Sequence, residues 1–224
     1  MTQLAVPGAS CRITPSPTAS ALRLDGLRVQ GQDALAALLE RMPPPPWDAA
    51  VEASDPAATW LEAAGFTPYG RTVTVTRTAD GLARPPHIPG VTVLPYRNDW
   101  ADAFTEAEGQ AMSGLGCFAQ MGSPTGYEHG AGHGAFVVAR RGEAILGFCH
   151  AQVPEGVVSW LGVVPAARRQ GVGRALMHDV AAAVLAARGT HLIADVADRP
   201  DALAFFRALG FRERTRRVLL VRPA

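Results

Sequence analysis

No lysine occurs in this sequence; all 21 basic residues are arginine, and they stand against 20 acidic ones. The formal net charge is therefore +1, which supplies no field to draw the chain onto nucleic acid or acidic lipid. Cysteine is nearly absent as well. Cys11, Cys117 and Cys149 form an odd set without C-x-x-C spacing, so a disulfide framework and a cysteine metal site are both excluded, and a reducing cytoplasm fits best. No run of ~18 apolar residues exists, the longest candidate being Val180 to Ala187. Met1 to Ser20 lacks the basic start and apolar stretch of a leader. A soluble, cytoplasmic protein without membrane or nucleic-acid partners is expected. What the chain does have is length: 224 residues bury a substantial core without staples.

The second half alternates short β-type runs with helical patterns. Strands are predicted at Gly90–Pro95, Gly134–Arg140, Ala144–Val153 and Val157–Val163, with a helix at Trp100–Met112. Glycine-containing turns join the middle strands into an antiparallel meander. A long helix from about Gly173 to Arg188 follows, then a strand His191–Val196, a helix Asp201–Leu209 and a closing strand Arg216–Val221. Strand, helix, strand implies a parallel crossover. The segment Ser113 to His133 is glycine-rich and reads as a loop, and loops of that length are often functional. Thr78 to Pro89 reads as a linker, and Pro43 to Pro46 as a rigid break.

An internal repeat is present. A shift of 145 residues superposes Trp60-Leu61-Glu62-Ala63-Ala64-Gly65-Phe66 on Phe205-Phe206-Arg207-Ala208-Leu209-Gly210-Phe211, and Arg71, Val73 and Arg77 on Arg216, Val218 and Arg222. Further back, Leu22–Val29 matches Val157–Val163, and Ala34–Met42 matches the long helix. Leu27 and Gly65 are 38 positions apart where Leu161 and Gly210 are 49 apart, so the first copy is 11 residues shorter. The boundary is placed between residues 82 and 83, with a truncated structural half before it and a catalytic domain after it. Trp47 and Trp60 are expected at the contact with the other copy, and Asp33 is expected as an N-cap that denies the first helix an anion.

Val163-Val164-Pro165-Ala166-Ala167-Arg168-Arg169-Gln170-Gly171-Val172-Gly173-Arg174 is the most informative stretch. A strand ends, proline stops it, and glycines open a helix whose unpaired N–H groups and dipole favour an anion. Gly171 and Gly173 let the backbone approach a bulky phosphate, and Arg168, Arg169 and Arg174 add charge. Neither the dinucleotide fingerprint nor a P-loop is spelled. A glycine turn with surface arginines is the alternative reading.

The stretch resembles motif A of the GNAT superfamily of acetyltransferases, Arg/Gln-x-x-Gly-x-Gly/Ala after a strand ending Val-x-Pro. Ala202-Leu203-Ala204-Phe205-Phe206-Arg207-Ala208-Leu209-Gly210-Phe211 is similar to motif B, and the resemblance covers about Gly90 to Arg222. It implies an α/β fold, a mixed, partly antiparallel sheet flanked by helices and splayed between the fourth and fifth strands, here preceded by the truncated half-copy. It implies acetyl-CoA as acyl donor, with its pyrophosphate on the amides of Arg169, Gln170, Gly171, Val172, Gly173 and Arg174. Leu161, Gly162 and Val163 would pair with pantetheine and polarise the thioester. An amine of a small molecule or peptide would attack directly in a ternary complex, entering over the Ser113–His133 loop. A homodimer stays open.

Three positions depart from the family. Phe206 stands where many relatives place the tyrosine acid, Arg199 where many place an asparagine, and Ser159 near where some place a glutamate. A thiol of pKa ~8.5 leaves without an acid at a cost of ~10²-fold in rate. Phe206 and Ser159 raise the alternative of an acyl-CoA-binding regulatory module with little catalysis. The base candidates are His150, Glu106 and Glu108, with His129 behind them. His150 also reads as a packed strand residue, and the two glutamates as ordinary helix surface. His129 and His133 have zinc-like spacing, but Gly130-Ala131-Gly132 disfavours a helix and no third ligand is evident, so no metal is expected.

Overall fold

The structure is a computed structural model that describes residues 2–15, 22–83, 85, 87–113 and 134–223. The predicted Ser113–His133 loop therefore lies, beyond its first residue, outside the described residues, and so do His129, His133 and Cys117. Contacts divide the chain into two compact units, Met1–Thr74 with Val196–Arg199 and Arg214–Ala224, and Val75–Asp195 with Pro200–Glu213.

The first unit opens with β1 (Thr2–Val6) and β2 (Ala9–Pro15), an antiparallel hairpin turning on Gly8 at φ 78°. β3 (Leu22–Val29) pairs antiparallel with β2; α1 (Gln32–Glu40) then leads to β4 (Trp47–Glu52), which runs parallel to β3. α2 (Ala57–Ala63) and the first part of β5 (Thr67–Thr78) follow. Leu24, Leu35, Leu38, Leu61 and Phe66 form the core of this unit, with Trp47 stacked on Phe66 at 6.2 Å. Trp47, expected at the contact with the other copy, shares this core with Val218 and Leu220 of the closing strand and stands opposite Arg222, while Trp60 is partly buried against the same core. Asp33 is not the N-cap of α1: the helix starts two residues earlier than expected, Gly31 occupies the cap position, and Asp33 lies in the first turn.

In the second unit β6 (Thr92–Pro95) and a 3₁₀ turn at Asn98–Trp100 precede α3 (Ala101–Met112). β7 (Gly134–Arg141), β8 (Ala144–Gln152) and β9 (Val157–Val163) form the expected meander, with β6 on the outer side of β7. α4 (Val172–Ala186) crosses to β10 (His191–Ala197), parallel to β9, and α5 (Pro200–Ala208) follows. β8 is buried on both faces because a helix covers each one. Phe104 of α3 lies 5.1 Å from Phe148, while Cys149, pointing the other way, lies against Met177 of α4. On α4 the residues Leu176, Val180 and Val184 recur every four positions and are fully buried, which fixes the face the helix presents to the sheet.

The chain closes with β11 (Arg212–Arg222), longer than expected, whose later part belongs to the first unit. It pairs antiparallel with β4 from Arg217↔Glu52 to Arg222↔Trp47 and contributes Val218 and Leu220 to the core around Trp47. The two copies share one ladder pattern: Leu24 stands opposite Ala49 as Val158 stands opposite Ala194. Ala49 and Ala194 are 145 apart and Leu24 and Val158 are 134 apart, which locates the difference of 11 between these strands.

Candidate active site

The turn between β9 and α4 is shaped by two residues with left-handed backbone. Arg169 has φ 62° and Gly171, the N-cap of α4, has φ 90°. A left-handed conformation at a non-glycine residue is costly, and such strain collects at functional sites. Alternating handedness turns successive N–H groups toward one point, and here that point coincides with a helix start. No side chain caps α4, and its first intrahelical bond runs from Ala175 N–H to Gly171 C=O. The amides of Val172, Gly173 and Arg174 precede that bond and are the donors a helix start offers to an anion. Gly173 has a reason of its own, since a Cβ there would lie 3.1 Å from the ring of Phe205 on α5.

Two of the charged or polar side chains of this turn are committed to the protein. Arg168 donates from Nε to Val163 C=O and from Nη2 to Ala111 C=O, both at 3.1 Å. Gln170 donates to Ala166 C=O at 2.8 Å. Arg169 is exposed and Arg174 half-buried.

β9 and β10 part where the turn begins to matter. Their parallel ladder joins Val157 to Ile193 and Val158 to Ala194 and, among the described residues, goes no further. Ser159, Leu161, Gly162 and Val163 lie beyond that ladder, and the last three are paired to β8 through Cys149, Phe148 and Gly147. Their other edge carries backbone donors and acceptors that an extended polar chain would match by strand addition. Gly162 is required by the opposite neighbour, because a Cβ there would run into the ring of Phe148.

His150 lies on β8, buried at 7% exposure, edge-on to Phe136 at 5.9 Å. A Cβ at Gly134 would meet its Nε2, so the glycine that starts β7 makes the space this imidazole occupies. Burial pulls its pKa below the ordinary value. The helical phase of α3 separates the two glutamates. Phe104, Ala107 and Ala111 face the sheet, Glu106 is exposed and accepts from Gln110 at 3.2 Å, and Glu108 flanks the buried face with its pKa raised by burial. Ser159 donates back to its own strand, to Val157 C=O at 3.4 Å. Phe206 is buried edge-on to Phe205 and Phe211, at 5.3 and 5.0 Å. Cys149 is fully buried and its thiol is pushed far up, which suits packing rather than nucleophilic chemistry.

Sequence reasoning missed the contact of Phe205 with Gly173, the role of Gly134 and the two hydrogen bonds that Arg168 donates to backbone carbonyls. The signal for Phe205 was present in helical phase, since it precedes Phe206 by about 100° on α5 and takes the side facing Gly173. Among the described residues no three histidine, cysteine or acidic side chains gather as a metal site, and no helix is long and apolar enough to cross a membrane.

Residues 132–213 match the family model of an acetyltransferase (GNAT) domain. Among solved structures, the fold resembles a GCN5-related N-acetyltransferase from Sphaerobacter thermophilus, at 19% identity and TM-score 0.66 over 97% of this chain and 78% of that one. It also resembles a tandem GNAT protein from the clavulanic acid biosynthesis pathway, at 17% identity and TM-score 0.65 over 96% and 78%. A GCN5-related N-acetyltransferase from Kribbella flavida aligns at 17% identity and TM-score 0.63 over 100% and 90%. No curated protein matches the sequence significantly. At these identities the likeness is one of fold.

Proposed function

We propose that this chain, whose residues 132–213 match an acetyltransferase (GNAT) domain, carries a degenerate partial repeat of the same fold before that domain and acetylates a primary amine of a small molecule or peptide with acetyl-CoA, by direct attack in a ternary complex. The observation that carries this reading is the uncapped start of α4, entered through the left-handed residues Arg169 and Gly171, beside the unladdered edge of β9. The amides from Arg169 to Arg174 hold the pyrophosphate, and Leu161 to Val163 pair with the pantetheine arm. Bound there, the coenzyme supplies an activated acyl carbonyl. A backbone donor of β9 aimed at that carbonyl contributes ~3 kcal/mol of barrier lowering.

The attacking amine forms the C–N bond as the C–S bond breaks, and its proton goes to a base. Glu108 and His150 are the candidates whose pKa burial shifts: it raises that of Glu108, which makes the carboxylate a stronger base, and lowers that of His150, which favours the neutral imidazole that can accept a proton. Glu106 is the weaker candidate because its exposed carboxylate is already engaged by Gln110. Phe206 gives the departing sulfur no proton, so it leaves as thiolate. Cys11 and Cys149 are buried free thiols, which supports a reducing, cytoplasmic setting.

Phe206 and Ser159 favour a second reading, a regulatory module that binds acyl-CoA without turning it over. The two readings separate in one experiment. Titrating the protein with acetyl-CoA and then following free thiol release over a panel of amines supports transfer when thiol appears with one of them. Binding with no release over the whole panel supports the regulatory module, and no binding overturns both.

A further inference from the structure

Arg168 fills the first position of the coenzyme-binding pattern, yet its hydrogen bonds run in another direction. Nε reaches Val163 C=O, the last residue of β9, and Nη2 reaches Ala111 C=O, 57 positions earlier in the chain, both at 3.1 Å. Ala111 lies in the last turn of α3, where carbonyls have no intrahelical donor and a cation meets the negative end of the dipole. The guanidinium fork is suited to this work, because its donors are fixed in one plane and span two acceptors at once. Glu108 stands one turn before Ala111, on the flank of the face that α3 buries.

Resting on the acyl-transfer reading above, we propose that Arg168 is a positioning residue that ties the last turn of α3, with Glu108, to the end of β9, and that it is not a phosphate ligand. Its two acceptors belong to the two elements the reaction must align: the strand edge that receives the thioester and the helix that carries a candidate base. The arginine thus sets where the base stands relative to the acyl carbon, and the pyrophosphate is left to the backbone amides.

The test uses the full chain with Arg168→Ala and Arg168→Lys. Acetyl-CoA affinity is read by calorimetry, kcat and amine KM by thiol release, and the exchange of the amides 109–112 by hydrogen–deuterium mass spectrometry. The expected result is an acetyl-CoA Kd within about threefold of the parent in both variants. With Ala, kcat falls at least tenfold and exchange in the last turn of α3 rises at least tenfold, while α4 keeps its protection. Lysine reaches one carbonyl at a time and recovers part of kcat. A Kd raised tenfold or more with Ala and restored by Lys would make Arg168 a phosphate ligand and overturn the proposal. Unchanged exchange in α3 would overturn it as well. If the parent protein binds no acetyl-CoA, the acyl-transfer reading fails, and the exchange experiment still decides whether Arg168 ties α3 to β9.

Discussion

Phe205 packs its ring against the backbone of Gly173, close enough that a Cβ on the glycine would stand 3.1 Å from two ring carbons. The second glycine of the turn is thus held to its size by α5 as well as by the ligand it is proposed to admit. Gly173→Val is expected to destabilise by about 1–3 kcal/mol through overpacking and to weaken acetyl-CoA binding. Phe205→Leu in the same chain shortens the opposing group and should recover part of the stability. Urea melts of the single and double variants measure this coupling, and strict additivity would show that the two residues do not press on each other.

Gly171→Glu should remove coenzyme binding and leave the fold. A Cβ at Gly171 meets Ile88 only at an ordinary 3.5 Å, so the cost to stability is the left-handed backbone at φ 90°, about 1–2 kcal/mol. The carboxylate, by contrast, is placed where the phosphates belong. An acetyl-CoA Kd raised by at least ~100-fold, about 2.7 kcal/mol, is expected from calorimetry on the folded variant. An unchanged Kd would move the anion site elsewhere.

The sheet and its punctuation were legible because each middle strand of the second unit is bounded by proline or glycine, as at Pro154-Glu155-Gly156 and Arg141-Gly142-Glu143. The repeat was legible because Gly65-Phe66 and Gly210-Phe211 punctuate the same corner twice. Non-local choices were not. Nothing in Arg212–Arg222 says that its partner is β4, since a strand shows its alternation locally and its neighbour only in the fold. The β1–β2 hairpin, turning at Pro7-Gly8, lay in a segment read only for targeting signals. Asp33 and Gly31 competed for one cap, and residue preference favoured the wrong one. Arg168 matched a phosphate-binding pattern whose side chain the fold directs at two carbonyls.

His150→Ala should lower acyl transfer by ~10²-fold, most clearly near neutral pH, where imidazole is the best-matched base. The same residue makes a stability prediction whose sign follows from its lowered pKa. Between its folded pKa and the unfolded value of about 6.5 the unfolded chain binds the extra proton, so stability falls as pH drops through that window. His150→Gln should flatten this acid-side loss in thermal melts collected below neutrality. A variant with the parent's pH–rate profile would return the base to Glu108 or Glu106, or to His129 outside the described residues.

Glu108 shifts the other way. Burial raises its pKa, so the folded chain holds the proton more tightly, and stability falls as pH rises through the unfolded and then the folded value. At neutral pH the carboxylate therefore costs stability, and Glu108→Gln should raise the melting temperature slightly there and change it little near pH 3. If Glu108 is the base, the same substitution lowers kcat, so that stability and activity move in opposite directions. A melting temperature lowered at neutral pH would show that the carboxylate is held by attraction rather than strained by burial.

One acetyl-CoA should bind per chain, and a chain starting near Ala83 should be insoluble or poorly folded. The first expectation rests on what separates β3 from α1. Only Gln30 and Gly31 stand there, no arginine is among them, and Asp33 brings negative charge into the first turn, where an anion would have to approach. Calorimetry returning two equivalent sites would contradict it. The second rests on β11 and β5. Removing residues before Ala83 takes away β4, the partner of Arg217 to Arg222, and uncovers Val218 and Leu220, about 1.5–3 kcal/mol each. It also removes the bonds of Thr76 to Leu192 C=O and of Ala79 N–H to Thr190 C=O, and the contact of Arg77 with Leu209 C=O. Those losses are comparable with the ~5–15 kcal/mol that keeps a domain folded. A shortened chain that melts cooperatively and retains full transfer activity would contradict this, and would mean that the first copy contributes nothing the second one needs.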